Sequence, residues 1–181
     1  MDRNNHYEAA FEAYLQWHRL CYVAVNENRR SLLGDASLKN LDFIVFGEGG
    51  GCLVDVKGRR YPAGTPQRPR RVWESWSTHD DVRGLQLWAE RFGPRFQALL
   101  VFAYQIQPAT VLQETDEDLW SWRERRYLFR AIAIDDYRPH MRLRSPRWGT
   151  VNLPSDVFRS LVRPFDHFIV GSRSIGEECP F

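Results

Sequence analysis

Lysine is nearly absent from this chain: of 25 basic residues among 181, only Lys39 and Lys57 are Lys. Cysteine is scarce as well, and Cys21, Cys52 and Cys179 are odd in number and far apart. That spacing makes neither a CxxC zinc pattern nor a disulfide framework, so inert thiols in a reducing cytoplasm are expected. Long apolar runs are missing too. The longest, Phe96–Tyr104, is interrupted by Gln97 and is too short to span a bilayer. The opening Met-Asp-Arg-Asn-Asn-His lacks the basic-then-apolar order of a secretory signal. No repeat, heptad run or low-complexity tract is visible, and the five His form no zinc-like cluster. Disorder is excluded from the other side, because 14% of the residues are aromatic.

What remains is a chain long enough to bury a proper core. Tyr7, Phe11, Tyr14, Leu15 and His18 recur at helical spacing within residues 7–20. Tyr22–Val25 reads as a short strand. Leu41–Phe46 and Cys52–Lys57 read as strands flanking Gly-Glu-Gly-Gly-Gly, a hairpin signal. Gly58, Pro62, Gly64, Pro66 and Pro69 make 58–71 a loop. Thr78-His79-Asp80-Asp81 has the form of a capping box opening a helix to about Phe92. Ala98–Ile106 and Tyr127–Ile134 suit central strands, with a charged excursion (Glu114, Asp116, Glu117, Asp118) between them. Short strands at Met141–Arg144 and Thr150–Leu153, a helix at about 155–162 and a loose tail close the chain. The expected fold class is α/β: a mixed central sheet flanked by helices over residues 1–106, with an α+β extension over 107–181 packed on it.

The hairpin carries the chemistry. A turn centred between Glu48 and Gly49 places Asp42 across from Asp55. Leu41, Phe43, Val45, Cys52, Val54 and Val56 then share one apolar face. The other face is apolar near the turn and ionisable at its open end, where Asp42, Asp55 and Lys57 converge. Like charges directly opposed, with Cβ atoms about 4.5–5.5 Å apart, are destabilising. A divalent cation would offset them, since Mg²⁺ is held by one or two carboxylates with water and phosphate oxygens. Pairing of either Asp with Lys57 or an arginine is the plain alternative.

Leu-Asp-Phe-Ile-Val-Phe followed by Cys-Leu-Val-Asp-Val-Lys-Gly-Arg resembles the core of the PD-(D/E)XK nuclease superfamily. That fold is shared by type II restriction enzymes, Holliday-junction resolvases and many repair nucleases. Asp42 matches the strand Asp of the family pattern, and Asp55-Val56-Lys57 matches (D/E)xK. The resemblance covers about residues 7–104. It implies a restriction-endonuclease-like fold and metal-dependent cleavage of nucleic acid, DNA before RNA. Asp42, Asp55, the Val56 carbonyl and an acid on the leading helix would bind Mg²⁺ or Mn²⁺. That acid is Glu8 or Glu12, and the helical wheel favours Glu8, which borders the apolar side. The resemblance further implies that Gln86, on the second helix, faces the metal corner and orients a water. His79 reads as an ordinary first-turn residue. Two active sites for duplex cleavage would mean a homodimer.

Between Lys57 and Glu74 the chain holds Arg59, Arg60, Arg68, Arg70 and Arg71 and no acid. Such a stretch can neutralise phosphates, positioning nucleic acid without reading it. Trp73 and Trp76 would stack on bases or pack the loop onto the body. Two rival readings stand beside the nuclease: a non-cleaving nucleic-acid-binding module, and a structural or protein-interaction domain.

Overall fold

The computed structural model describes residues 5–25, 31–33, 36–38, 41–65, 67–108, 110, 112 and 119–169. Helix α1 spans His6–Trp17, with Asn5 as N-cap accepting from the Tyr7 amide. Its buried side, Ala10, Phe11, Tyr14 and Leu15, is the one the spacing implied. Strand β1 (Tyr22–Ala24) follows, and β2 (Ser31–Leu33) and β3 (Ala36–Leu38) form a two-stranded sheet of their own. β4 (Phe43–Gly47) and β5 (Gly50–Tyr61) form the expected hairpin. Its ladder runs from Phe43↔Val54 to Gly47↔Gly50, the register set by a Glu48–Gly49 turn. Gly49 there takes φ +79°, which other residues adopt only at a cost.

β5 does not stop where a loop was expected. It continues through Gly58, Arg59 and Arg60 to Tyr61 because β9 (Phe96–Ile106) pairs with it in parallel, from Gly51↔Phe96 to Tyr61↔Ile106. A partner remote in sequence satisfies backbone groups that local preference would have left in a loop. Beyond it, β6 (Ala63–Thr65) and β7 (Arg68–Arg70) make a small antiparallel pair. β8 (Ser77–Thr78) leads into α2 (His79–Phe92), whose capping box joins Thr78 and Asp81 as read from the sequence. After β9 come β10 (Leu119–Trp122), β11 (Arg125–Ala133), the one-turn α3 (Ile134–Tyr137), β12 (Arg142–Ser145), β13 (Thr150–Asn152), α4 (Ser155–Leu161) and β14 (Arg163–Pro164). The acidic positions 114 and 116–118 and the tail from 170 lie outside the described residues.

The main sheet has the order β1-β4-β5-β9-β11-β10, with β14 pairing on β11. It is mixed: β5 and β9 are parallel, while β4–β5, β9–β11 and β10–β11 are antiparallel. A helical crossover, α2, is what a parallel pair of this kind requires. Phe11, Tyr14 and Leu15 of α1 pack with Phe43, Val54, Val101 and Phe129 on one face. Val82 and Leu85 of α2, Tyr137 of α3 and Phe158 of α4 pack with Leu53, Leu100 and Phe102 on the other. The fold is therefore an α/β sheet covered by helices on both faces, and strands beyond residue 107 continue it. Each large side chain fully buried in these layers contributes roughly 1.5–3 kcal/mol. Among the described residues no helix is long and apolar enough to cross a membrane.

The thiols correct one expectation. Cys52 is a buried free thiol, pushed up to about 12 by burial, but Cys21 is disulfide-bonded.

Candidate active site

Asp55 and Lys57 stand two residues apart on β5, so both side chains leave the same face. That face looks toward the start of α2. Lys57 Nζ lies 2.7 Å from Asp55 Oδ2 and 2.9 Å from Asp81 Oδ2, with all three side chains largely shielded from water. Burial alone would lower the ammonium's pKa, but the Asp55 and Asp81 carboxylates overcome it and hold the group at about 12. The two carboxylates therefore hold Lys57 in its ammonium form.

Asp81 is the residue that sequence reasoning placed but did not connect. Its Oδ2 accepts from the Thr78 amide (2.9 Å) and from Ser77 Oγ (2.9 Å) as well as from Lys57. The Thr78-x-x-Asp81 signal located it at the helix start, where the helix dipole also favours an anion. Only the tertiary fold shows that the same carboxylate reaches β5.

Asp42 sits at a fork. The regular ladder with β5 ends at Phe43↔Val54, and the Asp42 amide also donates to the Val54 carbonyl (2.8 Å). Two residues thus face one, as in a β-bulge. Consistently, Phe43 belongs to the α1 layer and Leu41 to the α2 layer, so the strict alternation expected for Leu41 with Phe43 breaks at Asp42. The Asp42 carboxylate, 3% exposed, accepts from the Val56 amide at 2.6 Å. It meets the backbone between Asp55 and Lys57, where β4 leaves and β5 runs on.

Glu8 is buried (7% exposed) and its Oε1 takes a 2.5 Å hydrogen bond from Asn5 Nδ2, whereas Glu12 is half-buried and accepts from the Tyr22 hydroxyl. The inward orientation favoured for Glu8 is the one observed. The N-terminal turn of α1 meets β5 just beyond Lys57, where a Cβ on Gly58 would overlap the Tyr7 ring. Among the described residues, however, no three His, Cys, Asp or Glu side chains are grouped as a metal-holding cluster. The direct ligand set Glu8, Asp42 and Asp55 is thus not assembled.

Gln86 is not brought to this corner. Its Nε2 donates to Glu90, its Oε1 accepts from Arg138 at 2.8 Å, and it lines a cleft beside the Gly47–Gly51 turn, at the other end of β5. α2 starts at Lys57 and climbs away from it, so a residue more than a turn past Asp81 points elsewhere. Arg59 is also corrected: it is buried, its guanidinium lies 3.7 Å from the Trp76 ring centroid, and it donates to the Gly58 and Trp76 carbonyls. Trp73 stacks on Tyr61 (3.7 Å between centroids), so both tryptophans pack the segment onto the body. Arg60, Arg68, Arg70 and Arg71 remain exposed, Arg70 paired with Glu74 at 3.3 Å. His79 is exposed at the start of α2, and its amide bonds the Gly149 carbonyl.

No family model matches the chain. No curated protein matches it in sequence either. Among solved structures it is similar to Hjc, a Holliday junction resolvase of the archaeal hyperthermophile Archaeoglobus fulgidus, at 12% identity and a TM-score of 0.49. The match covers 86% of this chain and 92% of that one. Likeness of that degree does not extend to residues or chemistry.

Proposed function

We propose that the chain is a metal-dependent nuclease hydrolysing phosphodiester bonds in nucleic acid, most favourably DNA. The observation that carries this reading is the fork itself. Two buried carboxylates, Asp42 and Asp55, flank the Val56 peptide, with a permanently charged ammonium beside them. Hard oxygen donors from two carboxylates and one carbonyl suit Mg²⁺ or Mn²⁺, which would take its remaining oxygens from water and phosphate. Glu8 fits a place behind one of those waters better than one on the metal, given the missing three-acid cluster.

Bound there, the cation would polarise the scissile phosphate and lower the pKa of a water. The chain's own residues do the rest. Lys57 stabilises charge building on the phosphate, and Asp55 and Asp81 hold its ammonium in place. The hydrogen bond from the Val56 amide to Asp42 anchors β5 beside the Val56 carbonyl. Arg60, Arg68, Arg70 and Arg71 contact phosphates outside the cleaved bond. A homodimer belongs to the same reading, as two sites are needed to cut both strands.

The double ion pair of Lys57 favours a second reading, a nucleic-acid-binding module that does not cleave, because a lysine so held can be purely structural. Supercoiled plasmid incubated with Mg²⁺ or with EDTA separates the two. Relaxed circles only with Mg²⁺ are expected, and must vanish in Asp55→Asn. Intact plasmid under both conditions, with binding retained, would establish the module instead.

A further inference from the structure

The second basic surface of this molecule lies beyond the segment that the sequence singled out. From Tyr137 to Ser155 the chain has no Asp or Glu, and it carries Arg138, Arg142, Arg144 and Arg147. Most of this stretch forms the β12–β13 hairpin of a three-stranded sheet in the order β12-β13-β8. β12 is the outer strand, and Arg142, Leu143 and Arg144 are all exposed, although successive residues point to opposite faces. Both faces of the strand are thus exposed at Arg142 and Leu143, before its register against β13 shifts at Arg144. At the turn, Arg147 and Trp148 are exposed as well, Trp148 to 68%. Among the described residues, the ring partner of Trp148 is Arg147, whose guanidinium lies 5.2 Å from its centroid.

The position of this hairpin matters as much as its charge. β13 pairs with β8 through Thr150↔Thr78 and Val151↔Ser77. The Gly149 carbonyl accepts from the His79 amide at 2.8 Å. Trp148 is thus one residue from an atom bonded to the first turn of α2, and that turn holds Asp81 against Lys57. Arg144 reaches over the Trp76 ring, 5.1 Å from its centroid, on which Arg59 of β5 also stacks. The hairpin is tied to the candidate site from two directions.

We infer that the β12–β13 hairpin is a second nucleic-acid contact beside the cleavage site, one that holds an unpaired strand. This rests on the nuclease reading and names its substrate class: nucleic acid with unpaired bases next to the cut. A stretch without acids and with exposed guanidinium forks complements phosphates, which Arg can grip bidentately. A wet indole offers a face to a base. Bases in a duplex already stack on their neighbours, so the indole adds affinity only where a base is unpaired.

Fluorescence anisotropy in EDTA, where nothing is cut, tests this on three labelled probes: a single strand, a blunt duplex and a duplex with a single-stranded tail. Trp148→Ala should weaken binding to the single-stranded and tailed probes by roughly tenfold, within the range for loss of one stacked base, and the blunt duplex by little. Trp148→Phe should recover most of the loss. The double variant Arg142→Ala/Arg147→Ala should reduce the salt dependence of single-strand binding by about 1.4 in slope, two phosphate contacts' worth. Wild-type binding by all these variants overturns the hairpin's role while leaving the nuclease reading intact. Weakened self-association with unchanged nucleic-acid affinity overturns it in favour of a contact between copies. Failure of the wild-type chain to bind any probe at any salt overturns both.

Discussion

At the scale of the residue, Lys57 carries the proposed chemistry and part of the stability. In a chain that writes its positive charge almost entirely as arginine, this position keeps a compact ammonium on a flexible stem. The geometry gives a reason: one nitrogen sits within 3 Å of two carboxylates on different elements, and a planar fork would need more room. Lys57→Arg should therefore lose most cleavage despite keeping its charge, and Lys57→Ala all of it, while calorimetry still detects Mn²⁺ binding. Wild-type cleavage by the Arg variant would reduce Lys57 to a structural partner of the aspartates. Removing the ammonium also leaves Asp55 and Asp81 buried together, a change costing on the order of 3–5 kcal/mol by urea denaturation. The pH dependence has a definite sign. The folded-state pKa is raised from 10.5 to about 12 by the carboxylates despite burial, so the stabilisation is complete below pH 10.5 and fades toward 12. Subtracting the stability curve of Lys57→Met from that of the wild type should show that decline, and a flat difference would refute it.

At the scale of the element, the hairpin of β10 and β11 shows what the sequence conceals. Its two-residue turn, Arg123–Glu124, takes φ of 46° and 60°. Turns of that kind prefer Asn-Gly, and a non-glycine residue there costs roughly 1–2 kcal/mol. Glu124→Gly should accordingly raise stability by about 1 kcal/mol, read as a higher urea midpoint at unchanged slope. Lacking glycine, the turn gave no hairpin signal, and β10 went unseen. The opposite held for β4 and β5, where Gly49 marked the turn and so fixed the register. The same contrast runs through the site. The shared face of Asp55 and Lys57 was legible because alternation is a local rule, whereas the bulge that turns Asp42 from opposite Asp55 onto the Val56 amide was not. Neither the extension of β5 through Arg59 nor the placement of Gln86 away from Lys57 could be read that way. Both depend on β9 and Arg138, which lie tens of residues further along the chain.

At the scale of the whole molecule, the main sheet runs on past the point where the resemblance ends. β9 lies between β5 and β11, and Leu99 to Tyr104 are buried along it. A fragment of residues 1–106 would expose that strand as an apolar edge, the kind that pairs with other chains. It should unfold without a cooperative transition, bind a hydrophobic dye and aggregate, by calorimetry and light scattering. Independent cooperative folding of the fragment would show that the later strands are an appendage.

Asp81 serves two masters: it caps the first turn of α2 through the Thr78 amide and it holds Lys57. Selection acting on this position would therefore see folding and the proposed catalysis through one side chain. Asn would keep a cap but lose the charge, and Glu would keep the charge but move the cap. Exposed neighbours such as His79 and Asp80 carry no such double duty, so a saturation scan of α2 should tolerate far fewer residues at 81 than at either of them.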